Sequence, residues 1–250
     1  MTNNKMYFIA NWKMFGEKSS INTLNSVIKL SKNSKYKKAN IIYCPPYTLL
    51  KQFVKKTNKS KILIGAQNCH SDENYGAYTG SINAKMIKDT GSKFVIIGHS
   101  ENRQTGDTNF LINLKIKSAI KQKLNIIFCI GESLRQKKTK KTNIILSNQI
   151  KNGLKNIRNI DKIIFAYEPL WSIGTGIIPK AKDLENQINV IKNFITRKYK
   201  IKNPRILYGG SVNPDNIVSL NKIPSINGFL VGGASQNSKK FIDIIKKTIN

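Results

Sequence analysis

Eight short runs of β-branched and aromatic residues punctuate the chain, and most lead into a stretch with helical periodicity. They are Tyr7 to Ala10, Ile41 to Cys44, Ile62 to Gly65, Phe94 to Ile97, Ile126 to Ile130, Ile163 to Tyr167, Arg205 to Tyr208 and Gly228 to Val231. Amphipathic segments lie between them, among them Ile21 to Leu30, Phe110 to Ile120, Leu184 to Phe194 and Phe241 to Ile249. Strands that are apolar throughout must be covered on both faces, which calls for a parallel sheet with helical crossovers. Eight β-then-α units in 250 residues match the size of a closed α/β barrel of the (β/α)8 type. An open doubly wound sheet is the alternative that the same pattern allows. No Gly-rich or Pro-rich linker divides the chain, so residues 1–250 read as one domain.

Lys and Arg number 43 against 13 Asp and Glu, a formal net charge of +30. A charge of that size ordinarily points to nucleic acid or an anionic surface. Its make-up argues otherwise. Lysine dominates and is dispersed through every segment, whereas base and phosphate recognition favours the planar fork of arginine, of which there are five. Isoleucine and asparagine, which share A/T-rich codons with lysine, are also abundant, so a genomic bias accounts for the composition. The expectation is no specific nucleic-acid partner, only salt-dependent adhesion. No apolar run approaches the ~18 to 20 residues of a membrane span. The apolar stretch Met6 to Ala10 is shorter than a signal-peptide core of about 7 to 15 residues. A soluble, cytoplasmic chain with no membrane association is expected. Cys44, Cys69 and Cys129 stand singly, without the pairing of a disulfide framework or a zinc site, and read as free thiols with no metal centre.

In a closed barrel, chemistry gathers where strands end and loops begin. Glu168 ends the run Ile163-Ile-Phe-Ala-Tyr-Glu and enters an apolar, glycine-bearing loop, Pro169 to Gly176. A carboxylate there is either a partly desolvated base or a rim group paired with a lysine. His99 follows Phe94-Val-Ile-Ile-Gly98 at a probable helix start, a setting that disfavours the imidazolium and suits a neutral hydrogen-bond donor. His70, in the polar stretch Gln67 to Gly80, has no strand-end context and reads as structural. Asn11 and Lys13 end the first strand and can present an amide and a cation to a small anion. The turns Tyr208-Gly-Gly-Ser-Val212 and Val231-Gly-Gly-Ala-Ser235 follow the last two strands. Glycine permits close backbone approach, and this is where barrels of this kind hold phosphate; tight packing turns would look the same.

Over essentially its whole length the chain resembles the triosephosphate isomerases. The resemblance is carried by Asn11-Trp-Lys13, Gly65-Ala-Gln-Asn68, Gly76-Ala-Tyr-Thr-Gly80, Ile97-Gly-His-Ser-Glu101, Cys129-Ile-Gly-Glu132, Ala166-Tyr-Glu-Pro169, Gly174-Thr-Gly176, Tyr208-Gly-Gly-Ser211 and Val231-Gly-Gly-Ala-Ser235. It implies interconversion of glyceraldehyde 3-phosphate and dihydroxyacetone phosphate without metal or organic cofactor. It makes Glu168 the base, His99 the neutral electrophile, and Lys13 and Asn11 the groups that bind substrate and stabilise the enediolate. Phosphate would be held by Gly174, Ser211, Gly232 and Gly233, and Pro169 to Pro179 would be a lid. The resemblance also pairs Trp171 with Glu132, sets Cys129 beside Glu168, and has Glu101 orient Lys13. Gln67 to Gly80 becomes a homodimer loop with Thr79 near the partner active site.

Three departures qualify this. Asn102 and Ser81 replace an arginine and an acid that often link subunits, which implies a weaker dimer. Pro179 carries no N–H to offer Tyr208 when the lid closes. The basic segment Leu134 to Lys141 reads as surface variation. Two other functions fit less of the sequence, a different sugar-phosphate reaction on the same barrel and a basic nucleic-acid-binding role.

Overall fold

The structure, a computed structural model, describes residues 5–249. Its strands are β1 (Met6–Asn11), β2 (Ala39–Cys44), β3 (Leu63–Ala66), β4 (Phe94–Ile97), β5 (Asn125–Ile130), β6 (Ile163–Tyr167), β7 (Ile206–Tyr208) and β8 (Gly228–Val231). They run in chain order round a closed barrel, each parallel to the next, with β8 returning onto β1. The closed barrel is therefore realised and the open doubly wound sheet is not. The eight runs read from the sequence coincide with the strands to within a residue or two. β3 begins one residue later than expected, β7 begins after Arg205, and β2 starts earlier, at Ala39. The helices outrun their apolar stripes, so that Leu184 to Phe194 is the middle of a helix spanning Ala181–Tyr199. Among the described residues no helix is long and apolar enough to cross a membrane.

Strand alternation divides the core in two. Outward-facing positions such as Phe8, Val95, Phe128, Phe165 and Phe229 join the helices in one large buried cluster. The intervening positions, Ile9, Ile42, Ile96, Ile127, Ile164, Leu207 and Leu230 among them, form a separate cluster that fills the barrel. One step further along, the filling residues become small: Cys44 on β2, Cys129 on β5 and Ala166 on β6. The next inward position after Ile9 is Asn11, after Ala166 it is Glu168, after Leu207 it is Gly209 and after Leu230 it is Gly232. The same period of two that packs the lower barrel thus delivers polar and glycine positions to its C-terminal end.

Closure depends on one glycine. Gly228 opens β8 with φ +148°, and a Cβ there would lie 2.1 Å from the Tyr7 carbonyl oxygen on β1. Neither the dihedral nor the contact tolerates a side chain, because the obstacle is paired backbone. Gly228→Ala is expected to cost about 2 kcal/mol or more of stability, read as a lowered urea midpoint. An unchanged midpoint would show that the β1/β8 seam has slack the geometry denies.

Candidate active site

The site begins with Trp12, wholly buried just past β1. Its ring packs edge-on against Phe53 at 5.0 Å and Tyr43 at 5.9 Å, and its indole N–H donates to the Ser235 carbonyl at 3.1 Å. Gln236 Nε2 donates to the Trp12 carbonyl at 3.0 Å, and Gln67 Nε2 donates to the carbonyls of Lys13 and Cys44 at 2.9 and 2.8 Å. Between these clamps Lys13 is held at φ +57°, a left-handed conformation uncommon outside glycine. Its own N–H donates to Asn11 Oδ1 at 3.1 Å, and its ammonium donates to Glu101 at 2.6 Å. A strained backbone and a carboxylate together aim this lysine, which is how one cation among many in this chain acquires a fixed direction.

His99 lies beyond β4 and caps the short helix Ser100–Gln104. Its Nδ1 accepts the Glu101 N–H at 3.3 Å, so the ring proton sits on Nε2. That nitrogen is 3.4 Å from Glu168 Oε1. Behind it, Arg103 donates from Nε to the Gly98 carbonyl at 2.8 Å and from Nη2 to the Cys129 carbonyl at 3.2 Å, tying the ends of β4 and β5 together.

Glu168 is 2 % exposed, which decides between its two sequence readings: it is no rim carboxylate. Burial pushes its carboxyl above the usual carboxylate range. His99, the Cys129 thiol, the Ser100 N–H and the Lys13 charge oppose that shift. The Cys129 thiol is itself driven up by burial and by the neighbouring carboxylate, and so remains a donor. All three cysteines are free and buried.

Asn11, Lys13, His99, Glu168, Gly174, Ser211, Gly232 and Gly233, the eight residues singled out from the sequence, line one cavity of about 610 Å³. Gly209, Gly210, Gly232 and Gly233 bring main chain to its wall. A Cβ at Gly233 would meet nothing within 4 Å, so that residue faces open space, and Gly233–Gln236 begins a 3₁₀ turn. Gly209 and Gly210 serve differently. A Cβ on Gly209 would stand 2.8 Å from Glu168 Cγ, and one on Gly210 would stand 2.3 Å from the Tyr208 hydroxyl and 2.6 Å from Ser172 Oγ. These two glycines line the cavity as well, and they also make room for Glu168 and for the 169–179 loop.

The whole chain matches known proteins. The family model for triosephosphate isomerase matches residues 6–248. Relatives named triosephosphate isomerase include those of Dictyoglomus thermophilum, 40% identical over 95% of this chain and 97% of its own length, and Chlorobium chlorochromatii, 37% identical over 97% of each. The crystal structure of triosephosphate isomerase from Bartonella henselae superposes with a TM-score of 0.88 at 32% identity, covering 97% of this chain and 98% of that one. The chain belongs to the triosephosphate isomerase family. It is an isomerase of triose phosphates on the family's eight-stranded barrel, and glycolysis is the pathway the family serves.

Several contacts expected from the family resemblance are present. Trp171 Nε1 and the Tyr167 hydroxyl donate to Glu132 Oε1 at 3.0 and 3.2 Å. His70, outside the resemblance, stacks on Tyr78 at 4.3 Å and accepts the Asp72 N–H. The basic segment 134–141 is largely exposed, and one of its lysines touches the loop: Lys137 Nζ lies 3.5 Å from the centre of the Trp171 ring. Sequence reasoning gave no role to Gln67, Gln236, Arg103 or Ser172. Gln67 stood inside a motif but carried no chemistry of its own, and the others act through backbone carbonyls or hydroxyls that no spacing rule reveals.

A raised carboxyl makes a signed prediction. Glu168 binds a proton more readily folded than unfolded, so its contribution favours the fold at low pH and is lost as pH rises through the folded value. Glu168→Gln is therefore expected to raise Tm at pH 7 relative to the parent, with the gap closing toward pH 4. A gap of the same size at both pH values would show that desolvation does not govern this side chain.

Proposed function

We propose that the chain interconverts glyceraldehyde 3-phosphate and dihydroxyacetone phosphate through an enediolate, with Glu168 as the base. The observation that carries this is the buried Glu168 facing His99 Nε2 at 3.4 Å in a cavity also lined by Lys13, Asn11, Gly209, Gly210, Gly232 and Gly233. A carboxylate shielded from water is a stronger base than an exposed one and takes the proton from the carbon beside the carbonyl. His99, with its proton on Nε2, donates to the substrate oxygens where negative charge develops. Lys13 and Asn11 meet the same charge, and the lysine's clamped backbone means that little reorganisation is needed as it builds. Glu168 then returns the proton to the neighbouring carbon.

The phosphate is assigned to Gly174, Ser211, Gly232 and Gly233. Glycine at the last two positions lets the substrate approach the amides closely. The loop from Pro169 to Pro179 is read as a lid that shields the intermediate from water. These steps call for neither metal nor organic cofactor. We further infer a cytoplasmic homodimer. Met14 and Phe15 are 99 % and 44 % exposed beside the site, and Tyr75 and Tyr78 stand out from the Gln67 to Gly80 segment at 68 % and 47 %. Apolar exposure on that scale suits a protein interface, with Thr79 reaching toward the partner active site.

The deciding experiment is the Glu168→Gln variant, close in shape and unable to accept the proton. Turnover of glyceraldehyde 3-phosphate is expected to fall by about 10² to 10⁴ or more, with the melting transition retained. Turnover near the parent's would remove Glu168 as the base.

A further inference from the structure

We propose that Ser172 is a positioning residue for the isomerisation: its hydroxyl pins both limbs of the 169–179 loop to Tyr208 at the end of β7. This rests on the reading of that loop as the shield over the intermediate. Ser172 is fully buried, and its hydrogen-bonding capacity is completely used. Its single proton goes to the Ile177 carbonyl at 2.6 Å, on the far side of the loop. The Tyr208 hydroxyl at 2.7 Å must therefore be the donor to Ser172 Oγ, and the Ser211 N–H approaches the same oxygen at 3.5 Å. Burial holds the Tyr208 hydroxyl up at about 12, so it remains a donor throughout the physiological range.

One oxygen thus joins the loop's entry, its exit and the turn that carries Ser211. Between the joined limbs, Gly174, Thr175, Gly176 and Ile177 are exposed, with both glycines at positive φ. Pro179, at the loop's end, has no N–H to offer in place of the hydroxyl. Alanine lacks only the hydroxyl of serine and so introduces no steric clash. What alanine removes is, among the described residues, the hydrogen-bond partner of the Tyr208 hydroxyl and the acceptor of the amide of Ser211, which lines the cavity.

The consequence is chemical as well as mechanical. An enediolate phosphate released from its shield can expel phosphate. The C–O bond breaks with its electron pair leaving on inorganic phosphate, and the remaining enol takes a proton from water on its methylene carbon and gives up its hydroxyl proton, to give 2-oxopropanal. A loosened loop therefore diverts intermediate from isomerisation to phosphate release.

The test uses Ser172→Ala, Tyr208→Phe and the double variant, each assayed for isomerisation with glyceraldehyde 3-phosphate and for inorganic phosphate released per turnover. Ser172→Ala is expected to lower kcat by about 10- to 100-fold, with KM changed much less, and to raise phosphate release per turnover. Because both side chains serve one contact, the double variant is expected to be no worse than the more impaired single variant, within about twofold. Parent-like kcat and phosphate release in Ser172→Ala would overturn the proposal, as would effects of the two substitutions that multiply. If Ser172→Ala melts below the assay temperature, Tyr208→Phe decides, and unchanged phosphate release in it overturns the proposal. The outcome is separable from failure of the base assignment. Glu168→Gln lowers isomerisation and phosphate release together because enediolate formation itself is slowed, whereas Ser172→Ala trades one for the other.

Discussion

A carboxylate kept almost wholly out of water sets the terms for the upper end of this barrel. Burying an ion is expensive unless hydrogen bonds or opposite charge compensate, and nearly every residue around Glu168 can be understood as a response to that cost. Small side chains at Cys129 and Ala166 leave it room. Gly209 withdraws from its Cγ. His99, the Cys129 thiol and the Ser100 amide answer its charge only in part, so its proton affinity stays raised. Full neutralisation by a lysine at contact distance would give a more comfortable protein and a weaker base. The nearest lysine is instead bonded at 2.6 Å to a different carboxylate, Glu101, which leaves it directed without quenching Glu168.

How the chain achieves this follows from the strand period. Inside the barrel, alternate positions are filled by apolar residues, chiefly isoleucine and leucine with the smaller Cys44, Cys129 and Ala166 above them, until the last inward step, where Asn11, Glu168, Gly209 and Gly232 stand. A one-residue slip in any strand would exchange this ring of functional positions for the outward-facing apolar residues. The fold is thereby bound to the site: the apolar lower layers fix the register, and the register fixes which side chains meet at the top. Gly228, pressed against Tyr7 where the sheet closes, is the point at which that register is locked all the way round.

The architecture was legible because it rests on repetition. Eight apolar runs alternating with helical periodicity leave few solutions, and the strand-end positions of Asn11, His99 and Glu168 followed from those runs. Local pattern could not distinguish a desolvated Glu168 from a rim carboxylate, since the answer depends on the residues from other strands that enclose it. Nor could it separate the glycines. Gly209 and Gly233 sit in near-identical Gly-Gly turns on one cavity, yet a Cβ at the first would strike Glu168 and one at the second would meet nothing within 4 Å. Gln67, Gln236 and Ser172 were invisible for a related reason. Each acts by bonding to groups remote in sequence, 54, 224 and 36 positions away, and polar residues of these types are common at any protein surface.

The 169–179 loop shows how a chain this rich in lysine can still build specific contacts. Its entry is held by Trp171, whose indole N–H bonds Glu132 while Lys137 sits over the ring. A cation against the aromatic face and a carboxylate at the indole edge match both ends of the ring's charge distribution, so one of the many basic residues of the 134–141 segment becomes useful where most are merely solvated. The exit is held through Ser172 and Tyr208 by neutral hydrogen bonds, which salt does not screen. Two anchorages of different physical character therefore bracket an exposed tip containing Gly174 and Gly176. Raising ionic strength weakens the first more than the second, which makes the entry the softer limb in salt and leaves the exit contact to keep the loop in register with the phosphate end.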